Sequence, residues 1–248
     1  MIIFIKDRPI RILTQKEALL EAETEASDAV VDMRLTPLKV AHLQGHVVLL
    51  NATSTTFQKL ITFLNNSNLP ELQSVMLITK NKKLIEEKIN SIFTIVKAAG
   101  GIVVKDQKIL LMFRRGVWDL PKGKLDNDEK SKKAALRELK EETGVRAELV
   151  EKICTTWHSY SENDKQILKK TKWYLMKCID DSKASPQAEE GIEKLEWFTN
   201  KQAMITLKNS YSSIRYVFEK YLSRDGAGRE SMVVSPTSPS TKAIYREQ

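Results

Sequence analysis

The run GKLDNDEKSKKAALRELKEETGV, residues 123–145, restricts the fold more than any other stretch of the chain. Its spacing predicts a helix that Gly144 stops as a C-terminal cap. At about 100° per residue, Glu138, Glu141 and Glu142 fall within an arc of roughly 100°. Like charges at i, i+3 and i, i+4 repel by a few tenths of a kcal/mol each. Glu141 and Glu142 also lie at the negative end of the helix dipole. Ala134 and Ala135, one turn earlier, are expected to leave space above these carboxylates, with Leu136 and Leu139 turned toward the core. Two explanations fit such crowding. Either the face is solvated and neutralised by Lys130, Lys133, Arg137 and Lys140, or a divalent cation is the missing counter-charge. Carboxylate oxygens suit Mg²⁺ or Mn²⁺, which bind through a few carboxylates and substrate phosphates.

The rest of the chain divides by texture. Residues 1–93 read as a small α/β unit. MIIFIKDRPIRIL gives two short strands around Lys6–Pro9, and GHVVLLNA and SVMLITK give buried strands. A helix with Phe57, Leu60, Ile61 and Leu64 on one face lies between them, capped by Ser54 or Thr55. A further helix covers KNKKLIEEKINSIF. His42 and His46 have i, i+4 spacing, but Gly45 and the strand-like run after it argue against a metal pair. From residue 94 two strands follow with a tight turn at Lys105–Lys108. Gly100 and Gly101 predict a bulge or a close backbone approach. Two long strands come after Gly144, then LEWFT as a strand and two closing helices. The lack of strict alternation predicts a mixed sheet with helices against it. Residues 225–248, rich in Gly, Ser, Pro and Thr, read as a flexible tail.

Composition narrows the setting. The two cysteines, Cys154 and Cys178, lack metal-type spacing, and two reduced, packed thiols suit a cytoplasmic protein. No apolar run approaches the roughly 20 residues of a membrane helix. A net charge of +8 favours anionic partners without choosing among them. No zinc-finger spacing or aromatic-glycine RNA motif accompanies it, so nucleic acid is not the expected partner.

Wider spacing decides between the two accounts of the acidic helix. Gly123 is followed after five residues by Glu129, and after seven more by Arg137-Glu138-Leu139; Glu141-Glu142 and Gly144-Val145 complete the pattern G-x5-E-x7-R-E-U-x-E-E-x-G-U, U being aliphatic. With average residue usage these positions coincide on the order of once in a billion windows. The run resembles the signature box of the Nudix (MutT) hydrolases.

That resemblance implies an α/β/α sandwich with a mixed sheet over residues 94–224, preceded by the α/β unit of residues 1–93. It implies metal-assisted hydrolysis, with Mg²⁺ or Mn²⁺, of a nucleoside diphosphate linked to another group. Carried over by position, Glu141 and Glu142 are metal ligands and Glu138 is a ligand or the general base. Arg137 and Glu129 pair to fix the loop onto the helix, Gly123 permits the turn, and the Lys122 carbonyl is a further ligand. An acidic residue from a later loop is expected, Glu189 or rather Glu190.

RRGVWDLPKGK resembles the stretch found in members acting on dinucleoside polyphosphates, diphosphoinositol polyphosphates or oxidised nucleoside triphosphates. Arg114, Arg115, Lys122 and Lys124 are therefore candidates for polyphosphate binding. Lys165, Lys169, Lys170 and Lys172 read as solvated residues of a hairpin turn, or else as a basic rim. Trp118, Trp157, His158, Tyr160 and Tyr174 are candidates for stacking on a base, Trp118 and Tyr160 foremost. A nucleoside or dinucleoside polyphosphate is the expected substrate, with ADP-ribose or a nucleotide sugar as the alternative. A nucleotide sensor without catalysis is the competing class, and an intact acidic trio argues against it. The resemblance gives residues 1–93 no role: a homodimer interface is the default expectation, and a cover for the active site, a regulator-binding unit or a purely structural one are the alternatives.

Overall fold

Hairpins frame the molecule, and three of them turn on two non-glycine residues with positive φ. These are Lys6-Asp7 (φ 48° and 62°), Asp106-Gln107 (48° and 60°) and Asn163-Asp164 (48° and 60°). Left-handed turns of this kind match the twist of the strands they join. The first links β1 (Ile2–Ile5) to β2 (Arg8–Leu13), the second β6 (Thr94–Lys105) to β7 (Lys108–Arg114), and the third β10 (Arg146–Glu162) to β11 (Lys165–Asp180). The computed structural model describes residues 1–21 and 27–224. The tail expected at 225–248 lies outside the described residues.

Between the first two hairpins run α1 (Gln15–Glu21), β3 (Ala29–Asp32), β4 (Gly45–Leu50), α2 (Ser54–Asn66), β5 (Leu72–Ile78) and α3 (Lys82–Ile92). The α2 cap is Thr53, one residue before the expected pair; its hydroxyl accepts from the Thr56 N–H. Phe57, Leu60, Ile61 and Leu64 are buried. Beyond β7 come the short strands β8 (Val117–Asp119) and β9 (Lys122–Lys124), then α4 (Ser131–Thr143). After β11 follow β12 (Ile192–Thr199), α5 (Asn200–Thr206) and α6 (Ser212–Leu222). Among the described residues, no helix is long and apolar enough to cross a membrane.

The twelve strands of the described residues belong to one mixed sheet, with the main order β12-β7-β6-β11-β10-β1-β2-β5-β4-β3. The join between its halves is parallel: Ile3 lies opposite Trp157 and Phe4 opposite His158. The core crosses that join too, since Leu168 of β11 is buried among residues of β1, β2 and α2.

The second half is a layered sandwich, as expected. Alternation along the strands sends Val103, Leu110, Tyr174 and Met176 to the α4 face. It sends Ile102, Ile109, Leu111 and Trp173 to the face covered by α5 and α6. Ala134 and Ala135 are both fully buried against the sheet. Small side chains there let α4 approach closely. Gly100 and Gly101 mark a close approach, with the β6–β11 register unbroken from Thr94 to Val104. A Cβ at Gly100 would overlap the Pro121 carbonyl.

Candidate active site

Local sequence places the acidic helix. Gly144, in the left-handed region at φ 69°, ends α4, and its N–H returns to the Lys140 carbonyl. The three glutamates then sit at graded depth: side-chain exposure falls from 50% at Glu141 to 14% at Glu138 and 2% at Glu142. Burial therefore acts mainly on the last. It pushes the Glu142 carboxyl up to about 7, against the pull of Lys122 and Arg114. The Lys122 N–H donates to Glu142 at 2.8 Å, and the Arg114 guanidinium stands 3.5 Å away. Burial also raises Glu138, opposed by Arg137.

Arg137 braces the whole loop–helix unit. Its guanidinium donates twice to Glu129 (3.1 and 2.8 Å), to Glu138 (2.9 Å), to Glu141 (2.7 Å) and to the Lys124 carbonyl (3.0 Å). The bonds to Arg137 hold the Glu129 carboxyl below its usual range. Gly123 faces Glu138 so closely that a Cβ would overlap its carboxylate.

Beside this unit opens a cleft of about 340 Å³, lined by Arg114, Arg115, Asp119, Lys122, His158, Tyr160, Lys169 and Tyr211, among others. That volume suits a small ligand. Arg114 spans its edge: one amino group donates to Glu190 at 2.8 Å, while its buried Nε has no partner. The Lys122 ammonium donates to the Asp119 carboxylate and to the Leu120 carbonyl. Asp119 is buried and also accepts from the Leu120 N–H.

Other expected contacts lie elsewhere. Trp118 packs between Phe113 and Phe198, at 5.3 and 4.9 Å between ring centroids, outside the cleft. Lys124 offers its carbonyl to Arg137, and its side chain is exposed. Tyr174 is buried on the α4 face, with its hydroxyl 2.7 Å from Ser131 Oγ. Trp157 lies under the Lys170 ammonium, 4.6 Å from ring centroid to Nζ. Glu189 is exposed. Lys169 is no solvated turn residue. It lines the cleft, and burial, helped by Lys122, lowers its ammonium to about 8. Asp119 and Tyr211 line the cleft without having been singled out in the sequence. The signal for Lys169 was there: with the hairpin register known, period two puts it on the face of Thr171 and Trp173.

The NUDIX domain family matches residues 94–221, half of the chain. The chain belongs to the Nudix family. The match begins at the first residue of β6 and leaves residues 1–93 outside it. Over 129 residues the chain is 30% identical to an 8-oxo-(d)GTP phosphatase of Mycolicibacterium smegmatis, covering 52% of this chain and 37% of that protein. Over 92 residues it is 37% identical to an RNA pyrophosphohydrolase of Novosphingobium aromaticivorans, covering 32% and 57%. The chain thus spans well under two thirds of these relatives' lengths. A crystal structure of a MutT NUDIX hydrolase from Burkholderia pseudomallei superposes at a TM-score of 0.43 with 26% identity, over 51% of this chain and 98% of that one.

The Nudix site has the donor chemistry for a hard divalent cation: carboxylate oxygens, one of them buried and short of charge compensation. Among the described residues, no group of three or more His, Cys, Asp or Glu side chains is placed as it stands to hold a metal ion. Mg²⁺ does not require a complete cage of side chains, because it keeps waters and shares substrate phosphates.

Proposed function

We propose that this chain hydrolyses a phosphoanhydride bond in a nucleoside diphosphate derivative, with a nucleoside or dinucleoside polyphosphate as its substrate. The carrying observation is the buried Glu142 at the point where an acidic helix meets a cation-lined cleft. Relatives named as an 8-oxo-(d)GTP phosphatase and as RNA pyrophosphohydrolases support a substrate with a charged phosphate chain.

Glu138, Glu141 and Glu142 would hold Mg²⁺ or Mn²⁺, with the Lys122 carbonyl and Glu190 as further donors. The cation supplies charge withdrawal from the phosphates and acidification of a water. The chain's own residues do the rest. The Lys122 N–H fixes one oxygen of Glu142. Arg137 fixes Glu138, the candidate to take a proton from the attacking water. Arg114, Lys122 and Lys169 face the space that the phosphates would fill, and the unpartnered Arg114 Nε is a ready donor. Arg115, exposed at the rim, extends that cationic edge.

A hydrolysis screen tests this reading. Dinucleoside polyphosphates, oxidised nucleoside triphosphates, 5′-triphosphorylated RNA, ADP-ribose, nucleotide sugars and diphosphoinositol phosphates are incubated with Mg²⁺, Mn²⁺ or chelator, and products are identified. Cation-dependent cleavage of a nucleoside polyphosphate, lost in Glu141→Gln, is the expected result. Turnover of ADP-ribose or a nucleotide sugar alone would replace the substrate class. Nucleotide binding without any turnover would make the protein a sensor.

A further inference from the structure

The family-matched segment does not build the cleft alone. Asp7 sits at the tip of the β1–β2 hairpin, outside that segment. Its carboxylate accepts from the Ser212 N–H at 2.7 Å and from the Ser212 hydroxyl at 2.9 Å. Ser212 is the first residue of α6, so Asp7 caps that helix from across the molecule. The residue before it, Tyr211, lines the cleft with its ring 6.5 Å from His158, which stands 6.2 Å from Tyr160. The same hairpin grips the opposite wall. Phe4 pairs with His158 in the parallel ladder, and the Phe4 ring lies edge-on to Tyr216 of α6 at 6.0 Å. The cleft therefore brings aromatic rings together with cations, and the rings of His158 and Tyr211 are held in place from β10 and α6 by contacts with the N-terminal unit.

We infer that the N-terminal unit is a specificity element of the cleft, in which Asp7 is a positioning residue that holds Tyr211 where a nucleobase stacks. The inference rests on the nucleotide reading given above. Aromatic faces bind bases by stacking, while the cations of the cleft bind phosphate whatever nucleoside is attached. Loss of the Asp7 cap should therefore weaken recognition of the base and spare recognition of the phosphates.

The test is calorimetric binding, with Mg²⁺ present, of two probes: a non-hydrolysable nucleoside polyphosphate and inorganic tripolyphosphate. Asp7→Gly is the informative variant, because glycine accepts the φ of 62° without strain while the carboxylate is removed. Asp7→Asn keeps an oxygen for the Ser212 N–H and tolerates the same backbone. Thermal melts establish that each variant is folded. The expected result is a roughly tenfold weaker nucleoside probe in Asp7→Gly, on the scale of one stacked base, with tripolyphosphate changed less than about twofold. Asp7→Asn restores most of the loss. In a Tyr211→Ala background, Asp7→Gly has no further effect. Equal weakening of both probes, no weakening of the nucleoside probe, or additive losses in the double variant would each overturn the inference. A wild-type protein that binds the nucleoside probe but hydrolyses nothing removes the proposed activity and leaves this inference standing. Wild-type turnover with a loss confined to kcat in Asp7→Gly does the reverse.

Discussion

A carboxylate taken out of water needs either a counter-charge or a proton. Glu142 has one backbone N–H at 2.8 Å and a guanidinium at 3.5 Å, and burial still drives its carboxyl from 4.5 up to about 7. The consequence for stability has a definite sign. Below pH 4.5 both folded and unfolded chains hold the proton. Between 4.5 and about 7 the unfolded chain releases it first, so the folded state loses stability as pH rises through that window, on the order of 3 kcal/mol. Glu142→Gln keeps an acceptor for the Lys122 N–H and has nothing to ionise. In chelator, the variant is expected to gain on the wild type between pH 5 and 7, by thermal melts, while losing its hydrolytic activity. A parallel pH course for the two proteins would refute this. Gly123 makes the complementary case. The nearest atoms to a Cβ there belong to the flexible end of Glu138, which can swing aside. Gly123→Ala is expected to lower kcat about 10²-fold or more, the scale of a general acid–base group. Its stability cost should lie near the low end of the ~1–3 kcal/mol typical of overpacking. Steady-state kinetics and melts on the same preparation check both halves.

Among elements, α4 and the loop before it depend on one guanidinium. Arg137 joins Glu129, Glu138, Glu141 and the Lys124 carbonyl, and a lysine ammonium lacks the planar fork to replace those bonds. With the Arg137 side chain 26% exposed, the loss on Arg137→Lys is expected to be ~1–3 kcal/mol, below that of a fully buried pair. Urea unfolding measures it, and an unchanged midpoint would show that the brace is ornamental to the fold. β9 gives a steeper case. Gly100→Ala would drive a Cβ into the Pro121 carbonyl and the Lys122 Cα, which are backbone and do not yield. Its cost should reach the upper part of the overpacking range. What was legible in the sequence follows the same division. Helix α4, its glycine cap and the Arg137–Glu129 pairing rest on local spacing, which a sequence displays. The roles of Ala134 and Ala135 depended on which arc of α4 meets the sheet, and charge crowding alone does not reveal that. Trp118 in a loop-like run looked available to a ligand, yet Phe113 and Phe198 from two other strands enclose it. Lys169 follows from period two once the hairpin register is known, whereas Tyr211 reaches the cleft only through helix docking, which local patterns do not encode.

For the whole molecule, the parallel pairing of β1 with β10 carries one sheet across residue 93, just before the family match begins. Strand pairing between positions far apart in sequence is set by which edges the folded layers leave free, and no local signal carries it. Leu168 is buried in the core built mainly by residues 1–93, with Ile95 and Trp157 packed against it, and Asp7 caps α6. Cutting the chain at residue 94 would expose those apolar groups and the edge of β10. The two halves are therefore expected to unfold as one cooperative unit. The tryptophans make this measurable, because all four, Trp118, Trp157, Trp173 and Trp197, lie in the second half. Fluorescence thus follows mainly that half, with Trp157 also sensing the join to residues 1–93, while far-ultraviolet circular dichroism follows both. Coincident denaturant curves from the two probes are expected. If the halves were independent, dichroism would show two steps and fluorescence would be weighted toward the step of the second half, so the two curves would not coincide. A fragment of residues 94–224 should accordingly be less stable than the full chain and prone to aggregate; a soluble fragment with the midpoint of the intact protein would show that the shared sheet couples nothing.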